Sequence, residues 1–509
     1  MTKTTLPRGG DDRFALDMGA EEFRALGHRL VDELAGFYES LPERRVTSGE
    51  SGREIRASLP RRALPAHGRP ADELLAEVTP LLMEHSLFNG HPRFFGYITS
   101  SAAPLGALAD FLAAAINQNC GLRNLSPVAN EIEMQAVGWL AELVGFPTPC
   151  GGVLVSGGNM ANLLGFFAAR HARLPWNARQ DGIRRGDAQP VVYASRETHT
   201  WIEKAADISG IGTNAIRWVA TDSAQRLRLD ELERSIAADR AAGLLPFLVV
   251  GTAGNVSTGA VDPLTAIAAI AAREHLWLHV DGAYGAPAAA LPEAHEDLKA
   301  LALADSVALD PHKWLYNPIE VACTLVRDPN ALRNAFSYRP AYYRFEEDAE
   351  GGGLDYFEHG LQNTRGFRAL KVWLCLQQAG RDGYARRIRA DIDLARRLHD
   401  LAAGDPELEA GTQHLSITTL RYRPSDVRAD TAAGAAYLDE LNRQLVATLQ
   451  TGGEAYVSNA VIEGRQFLRA CIVNFRTTAA DIDALAKIVV LRGRELHAAR
   501  SFSEPPSTV

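Results

Sequence analysis

A lysine amine and a carboxylate stand at the ends of two successive predicted strands of this chain. Lys313 lies in Asp310-Pro311-His312-Lys313-Trp314. Asp281 closes an apolar run in His279-Val280-Asp281-Gly282-Ala283. An amine so placed can form a Schiff base with an aldehyde. A carboxylate can keep a pyridine nitrogen protonated, so that the ring accepts electrons. Together they are the minimum equipment for holding pyridoxal phosphate. Each motif alone has an ordinary reading, since lysine after a strand is usually solvated and aspartate there usually forms a turn. Their order, spacing and company favour the cofactor.

That company begins with Ser156-Gly157-Gly158-Asn159, between an apolar run and a helical pattern. Glycines let the backbone approach an anion, and the free N–H groups of a helix start can bind phosphate. By itself the turn is only a tight strand-to-helix connection. Gly210-Ile211-Gly212 lacks a third glycine and a preceding strand, so a dinucleotide site is not supported. His199 follows the apolar run Val191–Ala194, where an imidazole can stack on a flat ring or carry a proton near neutral pH; a surface histidine at a helix start is the alternative. Thr252 ends the strand before that of Asp281, and its hydroxyl can touch a cofactor. His312, beside the lysine, either faces a ligand or is packed. Pro340 to Phe357 contains Tyr342, Tyr343 and Tyr356, the acidic run Glu346-Glu347-Asp348-Ala349-Glu350, and Gly351-Gly352-Gly353. It reads as a disordered loop or as a lid with a glycine hinge, on which a phenol can donate a proton.

The elements that must position these groups follow from pattern. Val153–Ser156, Val191–Ala194, Ala215–Ala220, Phe247–Gly251, Leu276–Asp281, Ser306–Leu309 and Ala322–Val326 read as strands. Asn162–Arg173, Ile202–Ile208, Leu229–Ala242 and Leu264–Arg273 read as helices between some of them. This alternation implies an α/β fold with a mostly parallel sheet buried on both faces, whose ligands bind at the carboxyl ends of strands. Upstream, Phe23, Leu26, Leu30, Leu34 and Phe37 form a helical stripe. Downstream, Phe367–Ala403 is helical, and a small α+β region follows with strands at Leu415–Tyr422 and Phe467–Phe475 and helices at Ala432–Thr451 and Ala479–Ala498. The expected division is an N-terminal helical segment over 1–100 packing on a partner subunit, a large cofactor-binding domain over 101–385, and a small domain over 386–499.

Bulk properties narrow the class. With 509 residues, 46% hydrophobic and 23% charged, the chain is the size of a large enzyme subunit. A net charge of −9 argues against nucleic acid or an anionic membrane surface as a partner. No apolar run reaches the roughly 20 residues that span a bilayer. Five scattered cysteines without metal spacing read as reduced thiols of a cytoplasmic protein.

These residues together resemble the group II pyridoxal-phosphate-dependent decarboxylases, over about residues 15–495. His91-Pro92-Arg93-Phe94-Phe95-Gly96-Tyr97 is similar to the family's substrate-pocket segment, and Pro340-Ala341-Tyr342 resembles the Pro-Val-Tyr of its mobile catalytic loop. Arg368-Ala369-Leu370-Lys371-Val372-Trp373 looks like its following helix. The resemblance implies an aspartate-aminotransferase-like fold, pyridoxal-phosphate fold type I, and an intertwined homodimer whose active sites take residues from both chains. It places Gly157, Gly158 and Asn159 at the phosphate, His199 over the ring, Thr252 beside it, Ala283 under it, Asp281 on the ring nitrogen and Lys313 as the Schiff-base lysine. Tyr342 falls on the loop tyrosine. Asp310, with His312 in the cofactor-binding set, stands where many members have asparagine. The substrate pocket is assigned to Tyr97, Ile98, Thr99 and Thr364. Tyr97 and a hydroxyl at Thr364 lean towards aromatic substrates, tyrosine or DOPA above all. The implied activity is decarboxylation of an aromatic L-amino acid. An aldehyde synthase, a decarboxylase of glutamate, histidine or diaminobutyrate, and an inactive binding protein are the alternatives.

Overall fold

The computed structural model describes residues 16–59, 61–183, 188–339 and 354–500. Its strands, in chain order, are β1 (Phe94–Phe95), β2 (Gly151–Val155), β3 (Pro190–Ser195), β4 (Ile216–Val219), β5 (Leu245–Thr252), β6 (Trp277–Asp281), β7 (Ser306–Leu309), β8 (Ala322–Val326), β9 (Leu408–His414), β10 (Ile417–Tyr422), β11 (Tyr456–Ile462) and β12 (Arg465–Cys471). Strands β2 to β8 form one sheet in the order β2-β8-β7-β6-β5-β3-β4. Strands β4, β3, β5, β6 and β7 are parallel, whereas β8 is antiparallel to both β7 and β2. Strand β2 therefore runs with the parallel set, and the carboxyl ends of β2, β3, β5, β6 and β7 share one edge.

The central parallel strands are mostly apolar because both faces are covered. Strands β3 and β6 are buried throughout, and β5 is buried after its first residue. The Gly158–Arg173 helix packs on β5, β6, β7 and β8, and the Leu229–Ala241 and Leu264–Arg273 helices pack on β4, β5 and β6. This is the α/β architecture expected from the alternation of strands and helices, and the fold type I that the family resemblance implies.

The second sheet has the order β1-β11-β12-β10-β9, with its own core of Leu420, Tyr422, Leu441, Leu445, Val457, Leu468, Ile482 and Leu485. Strands β9 and β11 are absent from the pattern-based reading. Strand β9 is a polar edge, half-buried after Leu408. The apolar run read as Leu415–Tyr422 begins instead with a turn, at which Leu415 has φ 47°. The long helix runs Ala369–Gly404 and is interrupted at Gly380, where φ is 63° and ψ 171°. Near the N-terminus the Ala20–Ser40 helix forms as its stripe predicts, yet it buries no residue completely.

Tyr342 and Tyr343 lie outside the described residues. Tyr356, grouped with them in the sequence reading, belongs to the core instead. It is 1% exposed in a helical turn over Tyr356–His359, with the Arg365 guanidinium over its ring at 4.8 Å.

Candidate active site

The shared carboxyl edge of the large sheet opens into a cavity of about 460 Å³. Gly157, Gly158 and Asn159 reach it from the end of β2, His199 from the loop after β3, Thr252 from the end of β5, Asp281 and Ala283 from β6, and Asp310, His312 and Lys313 from the loop after β7. The geometry thus brings together every described residue assigned to the cofactor. Of the substrate-pocket set, Ile98 alone lines this cavity. Tyr97 is 55% exposed and packs on Tyr456 with ring centroids 6.1 Å apart. Thr99 is half-buried and Thr364 is exposed, both outside the lining.

Lys313 is fixed by its loop and by its charge. The loop turns back on itself, with Lys313 N donating to the Asp310 carbonyl at 2.9 Å and Asn317 N to that of Pro311 at 3.1 Å. Beneath it, Trp314 Nε1 donates to Asp391 Oδ2 at 3.0 Å, and the Tyr316 hydroxyl donates to the same carboxylate. Trp314 also stacks on Tyr284 at 5.0 Å. The Lys313 ammonium sits 2.8 Å from Asp310 Oδ2, and Asp310 is 1% exposed. Burial alone would lower the pKa of this amine; the carboxylates of Asp310 and Asp281 outweigh it and hold the pKa above its usual value. Gly158 backs the ion pair, since a Cβ there would come within 2.7 Å of Asp310 Oδ2.

Asp281 is buried, and its carboxylate is oriented by a residue that the sequence reading passed over. Trp201 Nε1 donates to Asp281 Oδ2 at 2.7 Å, and Ala283 N reaches Oδ1 at 3.2 Å. Thr252 is held by Asp262, whose carboxylate accepts from Thr252 N at 2.8 Å and Leu227 N at 2.7 Å, and which burial pushes up to a pKa of about 6. The Thr252 hydroxyl is itself buried without a hydrogen-bond partner. An orphaned hydroxyl on the wall of a cavity calls for a polar ligand atom. His199 faces the cavity from an exposed position. Burial lowers its pKa, Asp281 opposes that, and Lys313 adds to it. His312 is anchored through Nδ1, 2.6 Å from the Val321 carbonyl, and its Nε2 lies 3.7 Å from Asp310 Oδ2 on the cavity wall. The sequence reading also missed Glu197, Asn255, Val256, Ile319 and Glu320 on the wall.

A lysine and a buried carboxylate at the ends of neighbouring strands, a glycine turn opening a helix and an unpartnered hydroxyl together fit a phosphorylated pyridine aldehyde. The fold and site therefore define a lysine-dependent pyridoxal-phosphate enzyme. Residues 54–419 match the pyridoxal-dependent decarboxylase conserved domain, and the chain belongs to that family. An aromatic-L-amino-acid decarboxylase of Bacillus atrophaeus is 32% identical over 468 residues, covering 92% of this chain and 94% of the relative. The crystal structure of Oryza sativa TDC with PLP and tryptamine superposes with a TM-score of 0.87 at 28% identity, covering 94% of this chain and 99% of that one. A 4-hydroxyphenylacetaldehyde synthase of Rhodiola rosea gives a TM-score of 0.82 at 27% identity, covering 95% and 99%. The protein is a pyridoxal-phosphate-dependent amino-acid decarboxylase. Among the described residues, no helix is long and apolar enough to cross a membrane.

Proposed function

We propose that the substrate is an aromatic L-amino acid, tyrosine, DOPA, phenylalanine or tryptophan, converted to its amine and carbon dioxide. The observation that carries this is the charge of the cavity wall. Its described residues include Glu197, Asp281, Asp310 and Glu320, but no arginine and no lysine besides Lys313. Among these described residues a side-chain carboxylate would find no free lysine or arginine to pair with it, whereas Ile98, Val256 and Ile319 offer apolar surface. The aromatic decarboxylase relatives support the same reading.

When bound, pyridoxal phosphate supplies an electron sink for the pair released as the carboxylate leaves. The chain's residues supply position and protons. Lys313 provides the amine for covalent attachment, and Asp310 holds that amine's proton at rest. Asp281, oriented by Trp201, keeps a proton on the ring nitrogen. The Gly157–Asn159 turn would receive the phosphate, and Thr252, Ala283 and His199 would hold the ring, with the Thr252 hydroxyl free to reach it and His199 able to assist proton transfer. Tyr342, outside the described residues, would serve as the proton donor.

A second copy of the chain is part of this proposal. Phe23, Val31 and Leu34 on the Ala20–Ser40 helix, Leu74, Val78 and Leu82 on Ala71–Glu84, and Leu108, Phe111, Leu112 and Ile116 on Pro104–Ile116 are all exposed. Apolar surface so extensive marks an interface. It supports a homodimer in which Tyr97, Thr99 and Thr364, outside their own cavity lining, complete the site of the other copy. The five free thiols support a reducing, cytoplasmic setting. Aldehyde synthesis is the second reading, favoured by the likeness to the Rhodiola rosea enzyme. A panel of L-amino acids scored for carbon dioxide, amine and peroxide tests the substrate and the product. Aromatic substrates should lead with amine as product. Faster turnover of glutamate than of every aromatic substrate would overturn the proposal.

A further inference from the structure

From Asn162 on the cavity wall a chain of buried hydrogen bonds, which none of the roles above uses, runs back behind the site. Trp277 Nε1 lies 2.8 Å from Ser306 Oγ, and Ser306 Oγ lies 2.7 Å from His279 Nδ1. His279 Nε2 lies 2.7 Å from Asn162 Oδ1, and Asn162 Nδ2 lies 2.8 Å from the Gly158 carbonyl. His279 and Ser306 are fully buried, and Asn162 is 1% exposed.

The direction of every hydrogen follows from chemistry. An indole nitrogen only donates, so Ser306 Oγ accepts from Trp277. Asn162 gives its amide hydrogen to the Gly158 carbonyl, so it turns its own carbonyl to His279 and must accept. His279 therefore carries its proton on Nε2. Burial pushes its pKa down to about 4, so the ring is neutral and Nδ1 accepts from the Ser306 hydroxyl. Every polar heavy atom of the chain thus has a partner in a consistent direction. The neighbouring helix makes room for this. A Cβ on Gly165 would fall 2.5 Å from His279 Nδ1, so glycine is required where the helix crosses the imidazole.

The two ends of the relay matter more than its middle. One end is the carbonyl of Gly158, in the turn proposed to receive phosphate. The other is β6, on which His279 precedes Asp281 by two residues and so shares its face. The His279 ring also meets Trp201 edge-on at 5.5 Å, and Trp201 is the donor that orients Asp281. One imidazole thus touches the supports of both the anion turn and the ring-nitrogen partner.

We propose that His279 is a positioning residue that sets the separation between the Gly157–Asn159 turn and Asp281, so that the site accepts a ligand with a phosphate at one end and a pyridine nitrogen at the other. This rests on the cofactor assignment made above. The test uses the full chain stripped of cofactor, with pyridoxal phosphate and unphosphorylated pyridoxal as probes, each titrated by absorbance and tryptophan fluorescence. His279→Leu should weaken pyridoxal phosphate at least tenfold and pyridoxal by less than threefold. Asn162→Ala should do the same by cutting the relay at its other end. The two together should cost less than the product of the single effects, because they break one chain. His279→Gln, which keeps a donor near Nε2, should recover much of the discrimination.

Equal weakening of both probes in His279→Leu and Asn162→Ala would show a merely structural role and overturn the inference. So would unchanged discrimination in both variants, or a His279→Gln variant as poor as His279→Leu. Should His279→Leu fail to fold, Asn162→Ala and Ser306→Ala carry the same comparison. A wild-type chain that binds neither probe would instead sink the cofactor assignment itself, so the two failures are distinct.

Discussion

Replacing Trp201 by phenylalanine isolates one hydrogen bond at the heart of the site. Phenylalanine keeps an aromatic ring on the His279 side, but the indole N–H that reaches Asp281 Oδ2 at 2.7 Å is lost. Asp281 is buried, so water cannot readily replace the donor. Its remaining donor, Ala283 N, is at 3.2 Å and is the weaker of the two. Hydrogen bonds to charged groups contribute about 1.5–3 kcal/mol, and a buried carboxylate left short of donors rotates towards others. If that energy is spent holding Asp281 on the ring nitrogen, its loss appears in the reaction barrier. About 1.4 kcal/mol is a factor of ten, so kcat/KM should fall by about 10- to 150-fold. Asp281→Ala, which removes the carboxylate itself, should fall further. The assay is carbon dioxide release at saturating cofactor, beside thermal unfolding of the same preparations. A Trp201→Phe enzyme within twofold of wild-type kcat/KM would refute the reasoning, because the carboxylate would then be held without its indole donor. A large loss of melting temperature would equally show that packing, not orientation, was removed.

Other perturbations reach other parts of the site. Lys313→Ala should abolish turnover and the borohydride-reducible bond between protein and cofactor; a reducible bond in this variant, seen by mass spectrometry, would place the attachment elsewhere. Tyr342→Phe should shift product from amine towards aldehyde with peroxide, whereas Tyr343→Phe should not; an unchanged amine rate without peroxide in Tyr342→Phe would remove Tyr342 as proton donor. The folded-state pKa of His279 lies below its unfolded value, at about 4 against the usual 6.5. Its neutral form therefore supports the fold above about pH 6.5. That support is lost as pH falls towards 4, by up to about 3 kcal/mol. His279→Gln should lose less stability than wild type over that window in denaturant titrations, and identical pH profiles would contradict a buried neutral imidazole.

The parts of this site legible in sequence were those at the ends of apolar runs. Thr252, Asp281 and Asp310 each mark the point where a buried strand gives way to polar residues, and parallel topology carries those points to one edge. Lys313 follows three residues after Asp310, a spacing that a turn closes into an ion pair. What pattern could not show were pairings between distant elements. Trp201 and Asp281 are 80 residues apart, and Asn162 and His279 are 117 apart. Trp201 stands just before the helical stretch that opens at Ile202, and Asn162 opens the stretch Asn162–Arg173. Neither carries a local sign of a buried partner. Strand β9 escaped because an edge strand needs little apolar surface, and Tyr356 because acidic and glycine-rich neighbours concealed a core position.

The charge of the cavity gives these long-range pairings their weight. A phosphorylated cofactor brings negative charge to a wall already carrying Glu197, Asp281, Asp310 and Glu320. The one described lysine of the wall is engaged by Asp310, and no arginine is among its described residues. Side-chain cations therefore do little to attract the anion, and the burden falls on backbone N–H groups at the start of the Gly158–Arg173 helix. Such donors act over short distances and only when aimed. A site that holds phosphate by direction rather than by charge depends on what fixes its backbone. In this chain that support is Asn162 beneath the Gly158 carbonyl, and behind it the neutral imidazole of His279.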